Sequence, residues 1–280
     1  MVTRFDPVSI PRSEIRLFES AIVDQTYQIH IALPPGYDQK DERYPAVYAS
    51  PAFPDFFFLW PIITSMLVSA ELPPLILIGI GYDLDNPREI VLRRLRDHMP
   101  VPDDDMDQDI VAWANTEPVG IAEADNFLRF IHDELQPFID ANYRTRMDDA
   151  TYAGFSSSGL FGLHVLFKRP ETFRRYILGS PPIFRSNRAI IDSEEAYANA
   201  HDALPARVFL AVGGREQEDP FSVIRPRHQF VDNVKALSET LVARDYEGLE
   251  LITTVFPDET HLSVTPATYS RGLREVFKSI

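Results

Sequence analysis

An α/β fold, built on a mostly parallel sheet with helices on both faces, is predicted by three features of this chain. Short runs of β-forming residues alternate with helical stripes through the middle and end of the sequence. Several runs, such as residues 45–49 and 75–80, are apolar or nearly so throughout, as strands covered on both faces are. Three strand-end loops carry a serine, acids and a histidine, and such sheets collect their chemistry beyond the carboxyl ends of strands.

The elements follow in order. Residues 14–23 and 27–33 are alternating or apolar runs that open the sheet, and the turn Pro34-Pro35-Gly36-Tyr37 follows them. Residues 45–49 and 75–80 are further strands, with a helix over 60–70 between them. Residues 73–81 are the most apolar stretch and are far too short to cross a membrane. Residues 123–141 place Phe127, Leu128, Phe130, Ile131, Leu135, Phe138 and Ile139 on one helical stripe with charges opposite. A strand at 151–153, a helix at 157–168 and a strand at 175–178 come next. A strand at 208–212 ends at Gly213-Gly214, and a helix at 228–243, a strand at 249–256 and a helix at 265–278 complete the chain. No repeat or composition shift divides it, so residues 1–280 are expected to form one domain. The connection 182–205 is long and includes a helical stretch at 192–203, which reads either as a small cap over a cleft or as a surface helix.

Composition narrows the function. A chain of 280 residues can bury most of its apolar surface without crosslinks, and it has no cysteine for disulfide or thiolate chemistry. A net charge of −15 argues against nucleic acid as a partner. The run Asp103-Asp104-Asp105 matches no calcium-loop spacing and reads as a solvated loop. No histidine pair has the spacing of a metal-binding helix, so neither metal nor cofactor is expected. The amino terminus has no apolar run of the secretory kind, and a cytoplasmic location with no membrane partner is the expectation. A small molecule is the partner expected, and a monomer and a homodimer both remain open.

The most informative stretch is residues 151–159, TYAGFSSSG. It sets Ser156 between small residues where a strand turns into a helix, the geometry that lifts a hydroxyl clear of the backbone beside a helix N-terminus. The later strand-end loops carry Glu216 and His261, giving the chain order serine, acid, histidine. A serine hydroxyl needs an imidazole to take its proton, and the imidazole needs a carboxylate to fix its tautomer. Of the seven histidines, His261 alone pairs a strand-end loop with this order; His98 and His201 are weaker loop candidates. Glu216 is the first choice of acid, Glu218 and Asp219 compete, and Asp258 and Glu259 read as solvated. A serine–histidine pair without an acid is a further alternative.

Residues 152–164 (YAGFSSSGLFGLH), Arg169-Pro170, Phe173 and Ser180-Pro181 resemble the nucleophile region of the putative esterase family. That family includes siderophore esterases, S-formylglutathione hydrolases, feruloyl esterases and mycolyltransferases. Residues 27–37 and Tyr44-Pro45 are similar to its opening strands, 78–82 to the next strand and 94–100 to its R-x-x-D-x-x-P loop. Residues 213–216 and 261–264 are similar to its acid and histidine segments, and the siderophore-esterase-like subgroup is the nearest. The resemblance implies an α/β-hydrolase fold and a serine ester hydrolase with Ser156 as nucleophile, His261 as base and Glu216 as acid. Its substrate would be a siderophore lactone or another small ester. Acyl transfer and a non-catalytic binding scaffold are the alternatives.

The chain departs from the pattern at Phe155, where the family usually has histidine, and at Ser158, where it has glycine. It also has Ser50-Pro51-Ala52-Phe53 where Asp-Gly is frequent. The resemblance implies an oxyanion hole made by the Ser157 N–H and a second N–H from that loop. Pro51 has none, so Ala52 or Phe53 would supply it. In the aromatic run that follows, at least one ring is expected to face the cleft, with Phe56 and Trp60 as substrate-binding candidates, while Phe57 and Leu59 are expected to pack the following helix. Arg94 either meets an anionic part of the substrate or pairs with Asp97, the pair being favoured.

Overall fold

The computed structural model describes residues 9–115, 120, 122–218 and 228–278. The antiparallel pair β1 (Ser13–Ser20) and β2 (Gln25–Ala32) opens the chain. The strands β3 (Tyr44–Ser50), β4 (Ile76–Tyr82), β5 (Thr145–Phe155), β6 (Arg175–Gly179), β7 (Ala203–Gly213) and β8 (Glu247–Phe256) follow. Among the described residues they form one eight-stranded sheet in the order β1-β2-β4-β3-β5-β6-β7-β8. β2 joins β4 antiparallel, and every pairing from β4 to β8 is parallel. The α/β-hydrolase fold predicted from the sequence is the fold observed, and its solved relatives share it.

The sheet separates two apolar layers. On one face α1 (Ala52–Val68) and α9 (Val264–Phe277) cover Val47, Ala49, Leu77, Ile177 and Phe209. The other face carries α2 (Pro87–His98), α4 (Ala124–Arg129), α5 (Gln136–Asn142), α6 (Ser157–Lys168), α7 (Arg185–Ala198) and α8 (Phe230–Arg244) over Tyr48, Ile78, Tyr152, Leu178 and Leu210. The stripe read over 123–141 is one helical path, α4 and α5 joined through a π-helical turn at Phe130–Leu135. Among the described residues no helix is long and apolar enough to cross a membrane.

Several boundaries differ from expectation; β5 and β7, for example, start well before the predicted 151 and 208. α1 starts at Ala52, eight residues before the predicted start at 60, so most of the aromatic run lies inside the helix. The segment matched to the R-x-x-D-x-x-P loop is mostly α2, capped by the Asn86 side chain, which accepts from the Arg88 N–H at 3.0 Å, with Pro87 at the first helical position. The aspartate run is not all loop. Asp104 begins α3 (Asp104–Ala114), and Asp103 and Asp107 both bond Arg185, at the start of α7. α7 itself begins at Arg185, packs on α6 and buries Ile190, Glu194 and Tyr197.

Candidate active site

Ser156 sits in the turn between β5 and α6 with φ 60° and ψ −123°, a left-handed backbone that a non-glycine residue adopts only under constraint. The constraint is visible around it. The Ser156 N–H donates to Gly179 O at 2.8 Å, tying the turn to the end of β6. A Cβ on Gly154 would meet the Ser158 backbone at 2.6 Å, and one on Gly159 would meet Gly179 O at 2.7 Å, so both positions need glycine. Ser158 is fully buried, and its hydroxyl accepts from the Phe155 N–H at 2.9 Å, so a serine fits this position and braces the turn.

The loop after β8 brings His261 to this turn, with Nε2 3.0 Å from Ser156 Oγ. Nδ1 lies 2.6 Å from Glu216 Oε2. A carboxylate only accepts hydrogen bonds, so Nδ1 carries the proton and bare Nε2 is left to accept from the serine hydroxyl. Glu216 belongs to a short 3₁₀ turn, Gly214–Gln217, at the end of β7 and is 1% exposed. Its other oxygen, Oε1, accepts from the Gly213 N–H at 2.7 Å and from the Ser180 hydroxyl at 2.5 Å. The imidazole ring is held between Phe155 and Phe230, at centroid distances of 4.9 and 5.3 Å. Such a line can move a proton off the hydroxyl and hold the resulting imidazolium.

The parallel register sets Ser50 of β3 directly beside Gly154 of β5, so residues 51–53 lie against the turn that bears Ser156. Within that segment Ala52 is buried, while Phe53 breaks the start of α1 with an extended backbone (φ −103°, ψ 123°) and is 74% exposed. A cleft of about 490 Å³ opens over Ser156, Ser157 and His261. Its walls include Val91, Leu95, Ile110, Trp113, Phe184 and Phe230, with Arg94, Arg185 and His228 among the polar members. A larger, more open depression of about 700 Å³ near Ala70, Arg271 and Arg274 holds none of the groups above. Among the described residues no cluster of three or more histidine and carboxylate side chains is placed to bind a metal.

The family model described as putative esterase matches residues 20–248. The chain belongs to the putative esterase family. Ferri-bacillibactin esterase BesA of Bacillus subtilis is 27% identical over 280 residues, covering 95% of this chain and 90% of that protein. Siderophore triacetylfusarinine C esterase of Aspergillus fumigatus is 29% identical over 223 residues, covering 72% of this chain and 70% of that protein. The crystal structure of the BES protein from Bacillus cereus matches with a TM-score of 0.78 at 26% identity, covering 100% of both chains. The chain is accordingly an enzyme, a serine-type ester hydrolase acting on carboxylic esters.

Several residues of the esterase sit elsewhere than the sequence predicts. Phe56 and Trp60 are 1% and 5% exposed and belong to the core between α1 and the sheet; neither lines the cleft. Leu59 is buried beside them; Phe57 is exposed and packs edge-on against Phe53 and Phe56 of the same helix. Arg94 and Asp97 do not pair. Asp97 instead accepts from Arg96 Nε at 2.7 Å and from the Tyr27 hydroxyl at 2.8 Å. Arg94 turns to the cleft and donates to Ser157 Oγ at 3.2 Å. Of the rival acids, Glu218 and Asp258 are exposed, Glu259 accepts from the Ser263 hydroxyl, and Asp219 lies outside the described residues.

Other residues at the site went unread in the sequence. Ser180, which bonds Glu216, has no signal beyond its Ser-Pro pair. The cleft walls from α2 and α3 were hidden because those helices read as loops. His98, a weak candidate by sequence, is wholly buried at the end of α2, with its ring 2.8 Å from Ser50 Oγ and 3.4 Å from Ser157 Oγ.

Proposed function

We propose that the esterase works through an acyl-enzyme on Ser156. His261 Nε2 takes the hydroxyl proton as Oγ attacks the ester carbonyl, and Glu216 stabilises the imidazolium that forms. The N–H of Ser157 and that of Ala52 or Phe53 receive the carbonyl oxygen as it becomes negative. Collapse of the tetrahedral adduct breaks the bond to the alcohol oxygen, which takes the proton from His261. Water, deprotonated by the same imidazole, then attacks the acyl group and releases the acid and free Ser156. The observation that carries this reading is the unbroken hydrogen-bonded line from Ser156 Oγ through His261 to Glu216.

The substrate we propose is a siderophore ester or lactone. Two relatives are named as esterases of ferri-bacillibactin and triacetylfusarinine C, and the cleft suits a bulky, partly aromatic ligand. Arg94, beside Ser157 on the cleft wall, would meet an anionic or carbonyl group of that ligand. The reading places the enzyme in the cytoplasm as a single catalytic unit, which cell fractionation checks. Hydrolysis of p-nitrophenyl butyrate and of a catecholate trilactone by wild type and Ser156→Ala tests the reaction. The variant should lose roughly 10⁴–10⁶-fold in kcat on both. Equal rates would remove Ser156 from the mechanism, and hydrolysis of the simple ester alone would remove the siderophore.

A further inference from the structure

We propose that His98 is a positioning residue that fixes the oxyanion loop against the nucleophile turn. The inference rests on the reading above, in which Ser157 and residue 52 or 53 supply the two N–H donors. Those donors come from different elements, the start of α6 and the segment after β3. The backbone register aligns β3 with β5 only up to Ser50 and Gly154; beyond that, Pro51–Phe53 leaves the sheet. Two donors aimed at one oxygen must keep their spacing within a few tenths of an ångström, so something has to tie the segments together past the last ladder position.

The His98 ring does this from a third element. It ends α2, is completely buried, and reaches Ser50 Oγ with Nε2 at 2.8 Å and Ser157 Oγ with Nδ1 at 3.4 Å. Ser50 is the last residue before the oxyanion loop, and Ser157 bears one proposed donor on its own backbone nitrogen. Phe127 and Phe161 pack on the ring at centroid distances of 5.5 and 5.8 Å and hold its plane. Burial, reinforced by the Arg94 charge, pushes the His98 pKa well below its usual value, so the ring stays neutral. A neutral imidazole has one donor and one acceptor nitrogen, and both serine hydroxyls can rotate to match either tautomer. Arg94 donates to the same Ser157 Oγ and closes the chain at its open end. Among the described residues the His98 ring bonds Ser50 and Ser157 and neither the Ser156 hydroxyl nor the His261 ring, so its effect passes through the donors it spaces.

The test uses full-length protein and counts active sites by titration with a fluorophosphonate, so that misfolded molecules drop out. His98→Phe keeps the ring and removes both bonds; Ser50→Ala removes one hydroxyl; His98→Gln restores a donor on the side of Ser50. Per titrated site, His98→Phe and Ser50→Ala should each lower kcat for p-nitrophenyl butyrate by about 10- to 100-fold with KM within about twofold of wild type. The double variant should be no worse than His98→Phe, and His98→Gln should recover part of the rate. A kcat within about twofold of wild type in Ser50→Ala overturns the proposal, as do losses that multiply in the double variant. Ser50→Ala decides alone if His98→Phe does not fold. A dead Ser156→Ala beside unaffected Ser50 and His98 variants would sink this inference and leave the proposed reaction standing.

Discussion

Glu216 shows how much of the chemistry one side chain can reveal. Two donors, Gly213 N–H and the Ser180 hydroxyl, hold one oxygen so that the other faces His261. Glu216→Gln would keep the fold and the first two bonds but set an amide against Nδ1. On the proposed mechanism kcat should then fall by roughly 10²–10⁴-fold with little change in KM. A loss under about tenfold would favour a working pair of Ser156 and His261 alone. The side chains of Ser156, Glu216 and His261, which the fold brings together, were singled out in the sequence because the proposed chemistry demands those residue types at strand ends in that order. Phe56 and Trp60 were misread because an aromatic residue near a cleft and one in a core look alike until the backbone direction is known. Asp55 was not singled out at all. It is buried three residues past Ala52 with Oδ2 unpartnered among the described residues. Burial pushes its pKa up to about 7, against the pull of Arg94. The folded chain therefore holds a proton there that the unfolded chain gives up above about pH 4, and stability falls as pH rises from there to about 7. Asp55→Asn should lack that slope and gain on wild type by on the order of 2 kcal/mol between pH 5 and pH 8 in urea unfolding. Parallel profiles would place the Asp55 carboxyl near its ordinary value.

Helix α6 couples packing to the proposed chemistry, since its first residue follows Ser156, the proposed nucleophile. Gly162 lets it approach the sheet: a Cβ there would lie 2.3 Å from Leu178 Cδ2 and 3.0 Å from the Tyr152 ring. Gly162→Ala should push α6 away from β5 and β6, costing about 1–3 kcal/mol of stability. Because the same shift displaces the Ser157 N–H, activity per titrated site should fall as well. Thermal unfolding with site titration separates the two effects, and a variant that melts and turns over like wild type would show that α6 is not held so closely. The extents of most strands and of α6 were readable from apolar periodicity. α2 was not, although Asn86-Pro87 is a start signal, because Arg96, Asp97 and His98 are all buried along it and break the apolar stripe. α1 was half read. Phe56, Leu59, Trp60 and Ile63 form a helical stripe starting well before residue 60, yet Pro54 and Pro61 argue locally against a helix.

Over the whole molecule, the sheet gathers side chains distant in sequence by ending its parallel strands at one edge. β5 carries Ser156, β6 delivers Ser180, β7 carries Glu216 and β8 leads to His261, and these four strands are neighbours in that order. The loop after β3 joins from the other side of β5. This adjacency follows from right-handed crossovers in a parallel sheet, which is why strand-end loops alone were enough to locate the site. The crossing contacts that refine it, from α2 and from the 182–185 segment, depend on packing that no local pattern encodes. On the proposed mechanism, one serine of this chain is activated for attack on an ester carbonyl. Exposure of the native enzyme to a fluorophosphonate, followed by peptide mass spectrometry, reads that activation residue by residue. A single stoichiometric adduct on Ser156 is expected, absent from Ser156→Ala and strongly slowed in a His261→Ala variant. An adduct on another serine, or an unlabelled enzyme that still hydrolyses esters, would rule out Ser156 as the nucleophile.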